Sequence, residues 1–169
     1  LLPLRFAGSL SVDPHTALLG ALSLVEAGEL AVFQVLFSRT ASPWSESIQR
    51  AVLNHDGKPF FALPPEGPRY AREKCAKPLF AVRPRIGIKA GSHSRRMELL
   101  RSLMGALAQF EEPGSNTLIA LDSEGWDGEE QEIDLCLRSA HRTGMLLNAA
   151  ELAAFVHLPD ATVRSAKFA

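Results

Sequence analysis

Hydrophobic and polar positions along this 169-residue chain recur with two periods, near two and near 3.6, and the switches between them mark out its elements. Leu4, Phe6 and Leu10 alternate with Arg5, Ala7 and Ser9, which predicts a first strand with one buried face. Asp13-Pro14 opens a helix, Asp13 as N-cap and Pro14 at the first helical position, with Leu18, Leu19, Leu22 and Val25 on its inner face and Gly28 as its stop. Leu30 to Phe37 is short and rich in β-formers, a strand apolar on both faces whose one polar residue, Gln34, is expected to make a structural hydrogen bond. Thr40 to Arg69 reads as an insertion with one helix, Trp44 to Leu53, a His55-Asp56-Gly57 turn and a Pro64-Pro65 break. Tyr70 to Ala76 adds a helical piece made basic by Arg69, Arg72, Lys74 and Lys77, charges expected on a solvated face.

Leu79 to Lys89 alternates without a break, placing Phe80, Val82, Pro84, Ile86 and Ile88 on one side and Ala81, Arg83, Arg85, Gly87 and Lys89 on the other. A helix from Ser92 or Ser94 follows, with Met97, Leu100, Met104, Leu107 and Phe110 at helical spacing as its core stripe. After the Pro113-Gly114-Ser115 turn, Asn116 to Asp122 predicts a fourth strand. An acidic loop, Asp122 to Glu132, leads into a helix to about His141 with Ile133, Cys136, Leu137 and Ala140 inward. In the last element Asn148 and Glu151 form a capping box, Leu147 and Leu152 a hydrophobic staple, and Pro159 ends a helix that presents Leu152, Phe155 and Val156 on one face.

The order strand-helix-strand, strand-helix-strand, then helices, predicts an α+β fold: a ferredoxin-like split βαβ sandwich, its antiparallel four-stranded sheet carrying helices on one face, with extra C-terminal helices. The expected division is residues 1–142 as the ferredoxin-like domain, with the insertion at about 40–77, and residues 143–169 as a capped helix and connector. Two features strain this topology. Pro84 falls in a strand that should be central, which asks for a bulge, and the two-faced apolar strand falls at an edge, which asks for a cover from the insertion or the C-terminal helices.

Composition narrows the chemistry. A net charge of −1 and a pI near 6.6 give no global attraction to nucleic acid or anionic lipid, so any such binding needs a local patch. Arg83, Arg85 and Lys89 on the sheet, with Arg95 and Arg96 at the next helix start, are the candidate nucleic-acid-binding residues, though the strand's aromatic, Phe80, falls on the core side and not where it would stack on bases. Cys75 and Cys136 follow no metal spacing and are expected as small buried hydrophobes in a reducing compartment. The five histidines are scattered outside any ligand spacing such as HExxH, and the acidic loop lacks the register of a calcium-binding loop. No phosphate loop of the GxxxxGK[ST] type and no GxSxG elbow occurs. No metal, cofactor or catalytic residue is therefore expected, and no run reaches the ~20 apolar residues of a membrane span. The chain does not begin with Met and is expected to be part of something longer.

Three stretches together, Asp13 to Ser38, Pro78 to Ile88 and Leu146 to Asp160, resemble the domain that precedes the motor in TraG/TraD-like and HerA-like DNA-translocating ATPases of conjugation and type IV secretion. The ELA…HLP signature within Leu146 to Asp160 carries most of this likeness, and the insertion carries none of it. The resemblance implies a non-catalytic accessory or assembly domain of a cytoplasmic, ring-forming P-loop ATPase whose motor lies outside this chain. It implies as partners the motor domain of the same polypeptide or sister subunits, DNA, and membrane-associated secretion machinery. Leu152, Phe155 and Val156 would then be the domain-docking residues. The rival is a free-standing ferredoxin-like nucleic-acid-binding module; a small enzyme comes third.

Overall fold

In a computed structural model, which describes residues 2–40, 42–59, 66–121, 128–141, 144–159 and 163, the elements run α1 (Pro14–Leu22), β1 (Leu30–Arg39), α2 (Trp44–Val52), α3 (Gly67–Cys75), β2 (Leu79–Lys89), α4 (His93–Leu107), α5 (Gly128–Leu137), β3 (Met145–Asn148) and α6 (Ala149–Val156). The fold is α+β. Its antiparallel sheet has three strands among the described residues, in the order β1-β2-β3. β2 occupies the bounds that its alternation predicts and lies at the centre. It pairs with β1 in one continuous register from Leu30↔Lys89 to Arg39↔Phe80, and with β3 from Leu79↔Asn148 to Val82↔Met145.

That register leaves no room for the bulge expected at Pro84, which lies directly opposite Val35. Pairing with β3 ends at Val82, so the residue that cannot donate falls where β2 has a ladder on one side only among the described residues. The pleat then sorts side chains by parity. Ala31, Phe33 and Val35 join Phe80, Val82, Ile86 and Ile88 on the face that packs with Leu18 and Ala21 of α1, Leu103, Ala106 and Leu107 of α4, and Leu152, Ala154 and Phe155 of α6. The Phe110 and Phe155 rings stack at its centre, 4.2 Å apart.

Helices also cover the other face, contrary to the one-sided sandwich expected. Leu79 and Leu146 meet Ile48 and Val52 of α2 and Ala71 of α3 in a second apolar cluster, so the insertion has two helices and is part of the fold. Further along, α5 crosses β2 so closely that a Cβ at Gly87 would lie 2.6 Å from Leu135. The helix therefore faces the sheet through Asp134 and Leu135, while Ile133, Cys136 and Leu137 are exposed. This reverses the inward face read from Ile133, Cys136, Leu137 and Ala140. The stripe on α4 is likewise rotated: Leu99, Leu103, Ala106 and Leu107 are its buried residues, with Met104 only partly buried.

Two expected strands do not form. Residues 4–10 run as irregular chain with a 3-10 turn at Ala7–Ser9, anchored by the Arg5 N–H to the Phe110 carbonyl at 2.8 Å and by Ser115 and Asn116 side chains to the Pro3 and Leu2 carbonyls. Ile119 and Leu121 are 78% and 80% exposed, so the alternation after Asn116 has no sheet to join, and Asp122 lies outside the described residues. The third strand is instead Met145–Asn148, from the stretch expected to be a connector; the boundary expected at 142/143 thus separates segments that share one sheet and one apolar core. α1 stops at Leu22 rather than near Gly28, whose φ of 87° serves the turn into β1. The Pro64-Pro65 break, residues 122–127 of the acidic loop and most of the connector beyond Pro159 lie outside the described residues.

The cap on α6 forms as its sequence requires. The Asn148 side chain accepts from the N–H groups of Ala150 and Glu151, and Glu151 reaches back to the Asn148 N–H at 2.6 Å. Leu147 and Leu152, the staple pair, are both buried in the main core. The same Glu151 carboxylate also accepts from the Leu4 N–H at 2.6 Å and from Lys74 Nζ, at 2.7 Å to each oxygen. Lys74, read from sequence as solvated, and Glu151 are each only 1% exposed. Burial pushes the Lys74 ammonium below the ordinary lysine pKa, against the opposing pull of the Glu151 carboxylate. Breaking such a pair strands a charge in the interior. Lys74→Met is therefore expected to destabilise the fold by about 3–5 kcal/mol in urea unfolding, and Lys74→Met with Glu151→Gln by less than Lys74→Met alone, because the stranded group is then neutral.

Candidate functional site

The five basic residues expected to form an anion surface do not act as a set. Arg85 lies opposite Gln34 across the sheet and donates from Nε to Gln34 Oε1 at 2.7 Å, and from its two terminal nitrogens to the Ser139 and Asp134 carbonyls at 2.8 Å each. Gln34 completes the clamp by donating to the Leu135 carbonyl at 3.2 Å, the structural role expected of it. The Asp134 and Leu135 carbonyls belong to the last turn of α5 and that of Ser139 lies just beyond it, where a cation complements both the unpaired oxygens and the helix dipole. The turn closes in a Schellman arrangement: the Ser139 N–H reaches the Asp134 carbonyl, and Arg138 takes the left-handed conformation at φ 56°. Arg95 is equally committed, to Glu29 at 2.9 Å, Glu98 at 3.0 Å and the Leu24 carbonyl at 2.7 Å, and these carboxylates raise its pKa further. Lys89 and Arg96 are exposed, at opposite ends of the β2–α4 turn, and Arg83 is half-buried in the sheet.

Asp134, Ser139 and His141 bring together the residue types of a hydrolase triad but in a different connectivity. Ser139 Oγ donates to the carboxylate at 2.7 Å and His141 Nδ1 sits 2.8 Å from the same oxygen, so no imidazole nitrogen is aimed at the hydroxyl. The trio secures the end of α5. Both cysteines are free: Cys75 packs at the second cluster, where burial pushes its thiol pKa up, whereas Cys136 is exposed rather than buried.

The docking residues divide. Leu152 and Phe155 are buried in the main core, and Val156 is 40% exposed at its edge. Val156 there lines an open concavity of about 440 Å³ with Leu18 and Leu19 of α1, Phe33, Val35 and Phe37 of β1, and Pro159. The concavity follows β1, which pairs with β2 on one side and carries no strand on the other among the described residues. The edge strand that asked for a cover therefore keeps an open apolar flank.

One polar group borders this concavity: Asp13, His15 and His157, whose donor atoms all lie within 4.8 Å of one another. α1 and α6 create it. Asp13 caps α1, accepting from the His15 N–H at 2.7 Å, and His157 follows the last turn of α6, with Nδ1 at 3.1 Å and 3.2 Å from the Ala153 and Ala154 carbonyls. His157 Nε2 lies 3.2 Å from Asp13 Oδ1, and the two imidazoles stack with centroids 4.2 Å apart. His15 Nε2 meets the Phe155 carbonyl at 3.3 Å, and its Nδ1 is buried without a hydrogen-bond partner. Burial first, and the neighbouring His157 second, push the His15 pKa below the ordinary imidazole value, so it is neutral at pH 7. Sequence reasoning could not assemble this group, because Asp13 and His157 are 144 positions apart and no local spacing marks them.

The Asp134 carboxyl is held below its ordinary pKa by the Ser139 and His141 hydrogen bonds. A carboxyl depressed in the folded state adds stability above its unfolded value, about 3.9, and loses it as pH falls through the lower folded value. Asp134→Asn is thus expected to flatten the acid limb of stability against pH below about pH 4, read by urea midpoints at a series of pH values. As for relatives, no family model matches this chain, and neither a curated protein nor a solved structure does.

Proposed function

We propose that this chain is a non-catalytic accessory or assembly domain that holds a partner polypeptide along the β1 edge, the partner being the motor module of a DNA-translocating P-loop ATPase of the conjugation or type IV secretion kind. The observation that carries the binding reading is the open flank of β1 beside the apolar concavity of Phe33, Val35, Phe37, Leu18, Leu19 and Val156. Edge strands of this length and hydrophobicity are avoided in free-standing proteins unless something pairs with them. The identity of the partner rests on the sequence resemblance alone, which runs through β2 and through α1, β1 and α6, the last three of which line this groove. The ferredoxin-like reading of the fold belongs to the same proposal, and what supports it is the antiparallel pairing of β1 with β2 and the packing of α4 on one face of that sheet. The rival reading, a nucleic-acid module using the basic sheet face, has less support, because Arg85 and Arg95 spend their donors inside the protein.

Two outcomes test the proposal. The reading frame of the gene is expected to continue past residue 169 into a P-loop; a stop codon there overturns the ATPase assignment. In the full-length product, Phe37→Glu with Val156→Glu is expected to weaken association between subunits, through this domain and a sister subunit's motor module, by at least about tenfold in sedimentation analysis, since charge is then set into the apolar flank. Both positions are substantially exposed, so the thermal midpoint should move little. Unchanged association places the interface elsewhere.

A further inference from the structure

Resting on the reading of the β1 edge as a partner's seat, we propose that the partner enters as an extended antiparallel strand, which lengthens the sheet by bonding to the backbone of β1. Two hydrogen bonds fix the direction of that backbone. The Pro78 carbonyl accepts from the Ala149 N–H, on the β3 side, and the next carbonyl, that of Leu79, accepts from Thr40 Oγ1, on the β1 side. Carbonyls alternate along a strand, so the odd-numbered residues of β2 turn their N–H and C=O groups toward β1. Through the register that sets Leu30 opposite Lys89, their partners are the even-numbered residues of β1. Pro84 agrees, since as an even residue of β2 its missing donor faces away from β1. Ala31, Phe33, Val35, Phe37 and Arg39 therefore direct their backbone groups out of the sheet. None of these groups meets a backbone or side-chain partner among the described residues.

This edge is not blunted. It lies on a strand of 10 residues with no Pro, no Lys and no bulge, the devices that ordinarily protect an edge from pairing. Phe33, Val35 and Phe37, which carry outward backbone groups, also line the apolar concavity with Leu18, Leu19 and Val156. Residues directly opposite one another in an antiparallel pair share a face of the sheet, so alternate side chains of an added strand enter that concavity. Main-chain bonds then supply affinity, and the concavity selects apolar side chains opposite Phe33, Val35 and Phe37. Arg39 ends the row, exposed and in no ion pair with a described residue, and favours an acidic residue opposite it. In the antiparallel direction that acid stands at the amino end of the partner segment. A helix laid in the concavity would leave the row of backbone groups unpaired.

The test follows single amides of the chain by NMR hydrogen exchange, alone and with a synthetic peptide. In that peptide threonine and valine alternate behind an amino-terminal glutamate, the valines placed to fall opposite Phe37, Val35 and Phe33. In the free chain the N–H groups of Phe33, Val35 and Phe37 are expected to exchange at least about tenfold faster than those of Val32, Gln34 and Leu36, which bond to β2. Saturating peptide is expected to slow the outward set by at least about tenfold. Arg39→Glu should weaken peptide binding by at least about threefold, and lysine in place of the peptide's glutamate should restore it. Binding that leaves the outward amides unprotected means apolar packing alone and overturns the proposal, as does absence of binding to a chain whose inner amides are protected. Protection of the outward amides without peptide, growing with chain concentration, assigns the edge to a second copy and overturns it too. The motor module as partner falls separately, on a stop codon after residue 169.

Discussion

The Glu151 carboxylate is the point through which the parts of this protein are joined. Its oxygens accept from the Asn148 N–H, which starts α6; from the Leu4 N–H, which brings in the N-terminal segment; and from Lys74, which brings in α3. With water excluded, each of these contacts is stronger than at a surface, and each is costly to leave unmade. The carboxylate is affordable in the interior only because all of them are present. The result is specificity of arrangement: α3 cannot slide along the β3–α6 junction without stranding a charge.

The sheet follows from that junction. With β3 fixed ahead of α6, β2 gains its second neighbour over Leu79 to Val82, and the two faces of the sheet acquire different covers. One takes α1, α4 and α6 over a continuous apolar core; the other takes α2 and α3 at one end and α5 at the other. The last of these is a polar attachment. Arg85 and Gln34 grip carbonyls at the end of α5, so charge on the sheet that resembled a binding surface is consumed in holding a helix. What remains open is β1, and the groove beside it ends at the two histidines.

Much of the local structure was legible in the chain. The capping box at Asn148 and Glu151, the Asp13-Pro14 helix start, β1 and the bounds of β2 rest on short-range rules of caps and period, which tertiary contacts here reinforce. The failures share one cause. Alternation at Leu4 to Leu10 and after Asn116 reports which side chains are apolar, but a strand needs a partner edge, and the place beside β2 was taken by Met145–Asn148. Likewise Ile133, Cys136 and Leu137 have helical spacing, yet α5 turns Asp134 inward because Ser139, His141 and Arg85 meet it there.

By itself, then, the sequence determined the capped starts of α1 and α6, the extended stretches of β1 and β2, and that the protein is of mixed α+β class, because those depend on neighbours within a few residues. Only the tertiary structure decided that Lys74 is an interior cation and Arg85 a helix clamp, since a charge is buried or solvated according to what meets it from 77 and 49 positions away. It alone brought Asp13 and His15 to His157. A cap, a core histidine and a helix-terminal histidine are each ordinary in sequence, and their convergence exists only because α1 and α6 pack end to end against the same sheet.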